Sequence, residues 1–118
     1  MSIITLILAS LVALEFFYIL YLETFATTSA ATARVFGMSQ EELGQQSVNT
    51  LFKNQGVYNG LIAVLVLIAA FVQPSSFWLG IFMLYIILVA AYGAVTSDPK
   101  ILLKQGGLAM LTLLSLFF

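Results

Sequence analysis

The sequence predicts an all-α integral membrane protein, folded as a compact four-helix transmembrane bundle with a short cytoplasmic helical connection between the first and second spans. Of its 118 residues, 62% are hydrophobic and only 8% charged, with a mean hydropathy of +1.10, which lies outside the range of an ordinary soluble domain. The apolar residues fall into four stretches, Ile3 to Leu22, Leu51 to Val72, Phe77 to Val95 and Ile101 to Phe118, each close to the roughly 20 residues that cross a bilayer as a helix. These runs are too continuous for the alternation of a membrane barrel. Lipid offers no partner to a backbone polar group, so each run must close its own hydrogen bonds as a helix. Residues 1–118 therefore read as a single membrane domain, with no room for a separate soluble one.

The first run begins at the initiator without a basic leader and carries Glu15, so it reads as a retained span rather than a cleaved signal. A longer connection follows, from Glu23 to Thr50. Its stretch "TFATTSAATARVFG" is too rich in threonine and alanine for a span and suits a cytosolic extension or surface helix, ended by Gly37 as a C-terminal cap. Ser39 and Glu42 have the spacing of a capping box and start a new helical segment, which is free to continue into the second span. Gln73-Pro74-Ser75-Ser76 is a tight turn that joins the second and third spans in a hairpin, since proline stops one helix and serine caps the next. The turn Thr96 to Lys100 joins the third and fourth, with Pro99 suited to the first turn of the last helix.

Orientation follows from the four basic residues. Arg34 and Lys53 flank the long connection and Lys100 and Lys104 the last turn, while residues 73–76 have none. Lysine and arginine near span ends stay cytoplasmic, so the chain is expected in the cell inner or plasma membrane with both termini outside. So complete a bias argues against a dual-topology antiparallel dimer, and leaves a homo-oligomer of some other form open. Tyr21 and Phe25 on the inner side, and Phe77 and Trp78 on the outer, stand where interfacial anchors belong.

Histidine and cysteine are both absent, which removes the usual metal ligands, the usual general base and any disulfide framework; no metal and no cofactor is expected. Four scattered basic residues cannot form a phosphate-tracking patch, so no nucleic acid is expected.

The polar residues gather in the cytoplasmic half of the spans. Glu15 lies about 10 Å inside the inner boundary and Asn59 about 12 Å, on the rise of a helix. Asn54, Gln55, Tyr58 and Asn59 fall within an arc of roughly 140° on the second helix. Gly56 and Gly60 beside them make a small-xxx-small pair that admits another helix closely. Tyr18 shares a face with Glu15, Glu23 stands near it at the membrane surface, and Tyr92 and Gln105 enter from the inner ends of the third and fourth spans. Glu15, Tyr18, Glu23, Asn54, Gln55, Tyr58, Asn59, Tyr92 and Gln105 are thus the candidate binding residues, with Glu15 expected within hydrogen-bonding reach, direct or through one water, of Asn54, Gln55, Asn59, Tyr92 or Gln105. An intramembrane acid points to function. The amides serve equally well as interhelical packing bonds. Gly93 and the Gly106-Gly107 pair are expected to let the third and fourth helices pack tightly.

The blocks "LEFFYILYLETF" at 14–25, "NQGVYNG" at 54–60, "YGAVT" at 92–96 and "QGGLA" at 105–109 together resemble the bacterial membrane protein family named domain of unknown function 1304. The likeness spans nearly the whole chain. It implies a four-helix membrane protein, carries no activity with it, and points to Glu15, Glu23, Asn54, Gln55, Asn59, Tyr92 and Gln105. Three functional classes remain: a transporter or binder of a small solute, a membrane-embedded enzyme or lipid-binding protein acting on an amphiphile through Glu15, and a structural or accessory subunit. The first is favoured by chain size, the intramembrane acid and a polar pocket open to one side. Without histidine, cysteine or a recognisable nucleophile, enzyme chemistry is the thinner reading.

Overall fold

The computed structural model describes all 118 residues, and every regular element in it is helical. Six α-helices follow in order: α1 (Ile3–Leu20), α2 (Ala30–Phe36), α3 (Gln40–Gly44), α4 (Gln46–Leu67), α5 (Ser76–Thr96) and α6 (Ile101–Ser115). Both α1 and α4 end in a five-residue π-helical turn, Tyr21–Phe25 and Ile68–Val72. With those turns included, Ile3–Phe25, Gln46–Val72 and Ser76–Thr96 are long and apolar enough to cross a membrane, whereas Ile101–Ser115 is apolar but shorter. Helix α6 rises only about 22 Å, because its last three residues leave the helix.

Each long helix buries a narrow line of residues spaced three or four apart. On α1 and its π turn these are Thr5, Ala9, Val12, Phe16, Ile19 and Glu23. Small residues dominate on α4, where Gly56, Gly60, Ala63 and Val66 are buried and lead to Ala70 in the π turn. Leu79, Met83, Ile86 and Ala90 form the line on α5, and Gly106, Ala109 and Thr112 on α6. The remaining faces are no less apolar: Ile4, Ile7, Leu14, Leu61, Leu65 and Leu88 are all exposed. Helices that expose this much apolar surface are compatible with lipid around them.

The chain divides into two compact units, residues 14–63 and residues 1–13 with 64–118. In the first, local signals act as the sequence indicates. Ser29 caps α2 by accepting from Thr32 N, and Gly37 ends it in the left-handed conformation at φ 64°. Ser39 and Glu42 form the capping box, with Glu42 N donating to Ser39 Oγ at 3.0 Å and Ser39 N to Glu42 Oε1 at 3.1 Å. The segment it starts does not run on. Gln45 is extended at ψ 135°, so α3 stops after five residues and α4 begins at Gln46, five residues ahead of the apolar run. The rings of Phe36 and Phe52 meet edge to face, with centroids 5.1 Å apart.

In the second unit, α5 and α6 form a hairpin. Gly106 faces Ala90 and Gly93 faces Ile101, and an added Cβ at either glycine would stand 3.2 Å from its neighbour, so both glycines set the approach of the two helices. Gly107 has open space around it and takes no part. Ser75 caps α5 by accepting from Trp78 N at 3.1 Å. The turn into α6 is held by Asp98, which accepts from Lys100 N on Oδ1 and from Ile101 N on its carbonyl. Pro99 therefore sits inside this turn, ahead of the helix rather than in its first turn. Near the N-terminus, the hydroxyls of Thr5 and Ser115 share a hydrogen bond of 2.8 Å.

Candidate functional site

The polar centre of residues 14–63 is built on the π turn at the end of α1. A helix end leaves its last carbonyls without backbone donors, and wide i to i+5 closure leaves Ala26 N to donate to Tyr21 O at 2.8 Å. Side chains supply the other donors. Thr27 Oγ1 donates to Glu23 O at 2.7 Å, and Thr32 Oγ1 lies 2.6 Å from Ala26 O and 3.1 Å from Leu22 O. Its one hydroxyl proton serves one of these carbonyls at a time, the nearer being Ala26. Lys53, from α4, donates its ammonium to Thr24 O at 3.2 Å and to Thr27 Oγ1 at 3.3 Å, while Thr24 Oγ1 donates back to Lys53 O at 2.9 Å. A lysine on the last carbonyls of a helix also meets the negative end of its dipole.

Glu23 is held within this frame. The residue is only 4% exposed, and Asn59 Nδ2 donates to its Oε1 at 2.6 Å. Gly56 and Gly60 make that contact possible. A Cβ on Gly56 would overlap Thr24 Oγ1 and stand 3.0 Å from Glu23 Cβ and from Thr24 N, and one on Gly60 would come within 2.7 Å of Leu20 Cδ2. The expected small-xxx-small pair is thus where α4 passes closest to the end of α1. No cation reaches the carboxylate, since the Lys53 ammonium is directed to Thr24 O and Thr27 Oγ1.

The other candidate residues are placed as follows. Glu15 does not take the amide bond expected of it: Asn59 donates to Glu23 instead, and Glu15 Oε1 is buried with no hydrogen-bond partner. Glu15 stands one position off the buried line of α1, whereas Glu23 is on it. Tyr18 is exposed and stacks on Tyr21, with ring centroids 6.5 Å apart. Asn54 and Tyr58 line an open groove with Val57 and Leu61, and Gln55 is exposed beside them. In the other unit, Tyr92 is exposed and Gln105 half-buried, and neither side chain forms a hydrogen bond within the protein. The residues that reasoning from sequence left out are Thr24, Thr27, Thr32 and Lys53. For the threonines a signal lies in their spacing over 24–32, which brings the hydroxyls of Thr27 and Thr32 back onto the end of α1 and that of Thr24 onto α4.

Chemically, the arrangement is a buried carboxyl group with one amide donor and no cation beside it. That suits holding a cation, or holding two helices together. No group of three or more acidic, histidine or cysteine residues is placed to bind a metal ion.

Comparison with known proteins gives a family and a relative. Residues 10–117 match the family described as "Protein of unknown function (DUF1304)". The chain is 58% identical over 119 residues to "Uncharacterized protein YpaA" of Lactococcus lactis subsp. lactis (strain IL1403), covering 100% of both chains. No solved structure matches it. With the family match running through both the Glu23 turn and the "NQGVYNG" segment of α4 that meets it, this chain belongs to the DUF1304 family.

Proposed function

We propose that this chain is an integral membrane protein that binds a small cationic solute at Glu23 and Asn59 and carries it across the bilayer. The observation behind this reading is a buried carboxyl group with no cation in reach, which makes Glu23 an unpaired anion whenever it is ionised. A buried anion needs a partner of opposite sign, and the nearest ammonium in the fold is already committed to carbonyl and hydroxyl oxygens. A solute cation supplies what the protein does not. The groove of Asn54, Val57, Tyr58 and Leu61 offers an amide and a phenol on the same helix for its remaining contacts. Glu15, eight residues earlier on α1 and with an unpartnered oxygen, is a second station deeper in the span.

In this reading residues 1–118 form one membrane domain of four spans, with α6 and the three residues after it as the fourth. Their rise of about 27 Å falls slightly short of an average bilayer core. Local thinning or interfacial anchoring by Phe117 and Phe118 covers the difference. The basic-residue pattern puts the Glu23 end, the connection of α2 and α3, and Lys100 in the cytoplasm, and both termini outside. An impermeant maleimide is then expected to label a cysteine at Ser75 in intact cells and not one at Ser39; the reverse labelling refutes the orientation.

Transport is tested by solid-supported-membrane recordings from proteoliposomes given a concentration jump of a monovalent organic cation such as ethylammonium. Wild type is expected to give transient inward charge movement and Glu23→Gln none, with unchanged helicity and melting. A structural reading is supported by the close approach at Gly56 and Gly60. It predicts the opposite pattern: no currents from wild type, and a destabilised Glu23→Gln.

A further inference from the structure

A second cavity lies in residues 64–118, where α4 ends and α5 begins. It encloses about 540 Å³ and is lined by Leu65, Ile68, Ala69, Gln73, Pro74, Ser75, Trp78 and Phe82. Its walls are aliphatic and aromatic, and its polar rim is one amide and one hydroxyl. Ser75 Oγ already accepts from Trp78 N, while the Gln73 side chain has no partner in the protein. The turn adds acceptors nearby. Gln73 N donates to Ile68 O and Ser75 N to Ala69 O, but Pro74 has no N–H, and the carbonyls of Ala70, Phe71 and Val72 receive no donor.

We infer that this cavity is a binding site for an uncharged, hydroxyl-bearing lipid, a monoacyl- or diacylglycerol, with its acyl chain along Leu65, Ile68, Trp78 and Phe82 and its glycerol hydroxyls at Gln73. Three features select that occupant. The cavity stands between the ends of two helices long enough to cross a membrane, where an amphiphile finds lipid on one side and water on the other. None of its lining residues is charged, so an anionic headgroup would lose hydration without gaining a counter-charge. The carbonyls of Ala70, Phe71 and Val72, which receive no donor, favour a ligand that donates hydrogen bonds, as a hydroxyl does. This inference rests on the reading of α4 and α5 as membrane spans and is independent of any role for Glu23.

Trp78 is the one tryptophan of the chain and lines this cavity, so tryptophan fluorescence reports from its wall. The full-length protein in dodecylmaltoside is titrated with a monoacylglycerol whose acyl chain carries two bromines, which quench tryptophan on contact. Saturable quenching at one lipid per protein is expected, reversed by unbrominated monoolein, with brominated phosphatidylglycerol at the same mole fraction giving only a shallow linear decrease. Gln73→Leu is expected to raise the half-saturation concentration about 3- to 10-fold, the effect of one lost hydrogen bond. Linear quenching that is equal for the two lipids overturns the site, as does quenching that monoolein does not reverse. Trp78 shielded from every lipid in a protein that sediments as a dimer assigns the cavity to a second copy and also overturns it. Alkaline-carbonate extraction of native membranes tests the spans separately: release of the chain refutes the membrane reading, whereas retention with linear quenching refutes only the lipid site.

Discussion

The two long N-terminal helices, α1 and α4, end in the same backbone irregularity and treat it in opposite ways. The π turn Tyr21–Phe25 is closed by side chains: Thr27 and Lys53 reach its carbonyls, Thr32 reaches that of Ala26 just after it, and Glu23 within it is buried against Asn59. At Ile68–Val72 no side chain takes part. Two backbone N–H groups close it, and a proline ends the supply of donors. A widened turn is therefore neither a site nor a defect by itself. Whether it is sealed depends on the residues that follow: after the first come threonines and, 28 residues on in α4, a lysine, and after the second comes a three-residue connection too short to fold back over it.

Three substitutions sharpen this contrast, each followed by thermal melting in detergent micelles. The largest effect belongs to Gly56→Leu. Its Cβ overlaps Thr24 Oγ1 and crowds Thr24 N, and the added side chain pushes α1 and α4 apart at a cost of about 3 kcal/mol. Gly107→Leu, at a position with open space, is the matched control and leaves the melt nearly unchanged. If both variants melt alike, the close approach at Gly56 does not exist. Second is Asn59→Leu, which leaves the buried Glu23 carboxylate without its donor. A loss of about 1.5 to 3 kcal/mol is expected, and an unchanged melting temperature argues that Glu23 reaches water. The smallest effect is that of Pro74→Ala at the open turn. A new N–H for the unpartnered carbonyls and a more flexible unfolded chain act in opposite directions, so the net change stays below about 1 kcal/mol. A large gain there would show that the second turn is as tightly built as the first.

Much of this architecture is legible in the sequence, and what is not has a physical reason. Continuous apolar runs place the helices because a polar backbone has no other option in lipid. Gly37 and the Ser39–Glu42 box are local signals whose hydrogen bonds involve only near neighbours, so no tertiary knowledge is required. The extended break at Gln45 and the early start of α4 are less visible, since neither changes hydropathy. The π turns are invisible for the same reason. An i to i+5 closure adds a residue to the turn and rotates everything after it by about 100°.

Of the candidate site, the residue types and the "NQGVYNG" segment were readable, but their partners were not. Depth alone favours Glu15, which is the deeper acid. Burial favours Glu23, because the line Thr5, Ala9, Val12, Phe16, Ile19 continues to position 23 and misses position 15. That spacing is present in the sequence. A helix apolar on all sides gives no contrast by which to see it.

The hydrogen bond from Asn59 to Glu23 joins residues 36 positions apart in the chain. Synthesis at about 5 to 20 residues per second separates the emergence of the two by about 2 to 7 s. For that interval the end of the first helix is outside the ribosome with an acid whose amide partner has not yet emerged. The closing of this bond therefore waits on the emergence of α4, and until then Glu23 is without the amide that it meets in the folded chain.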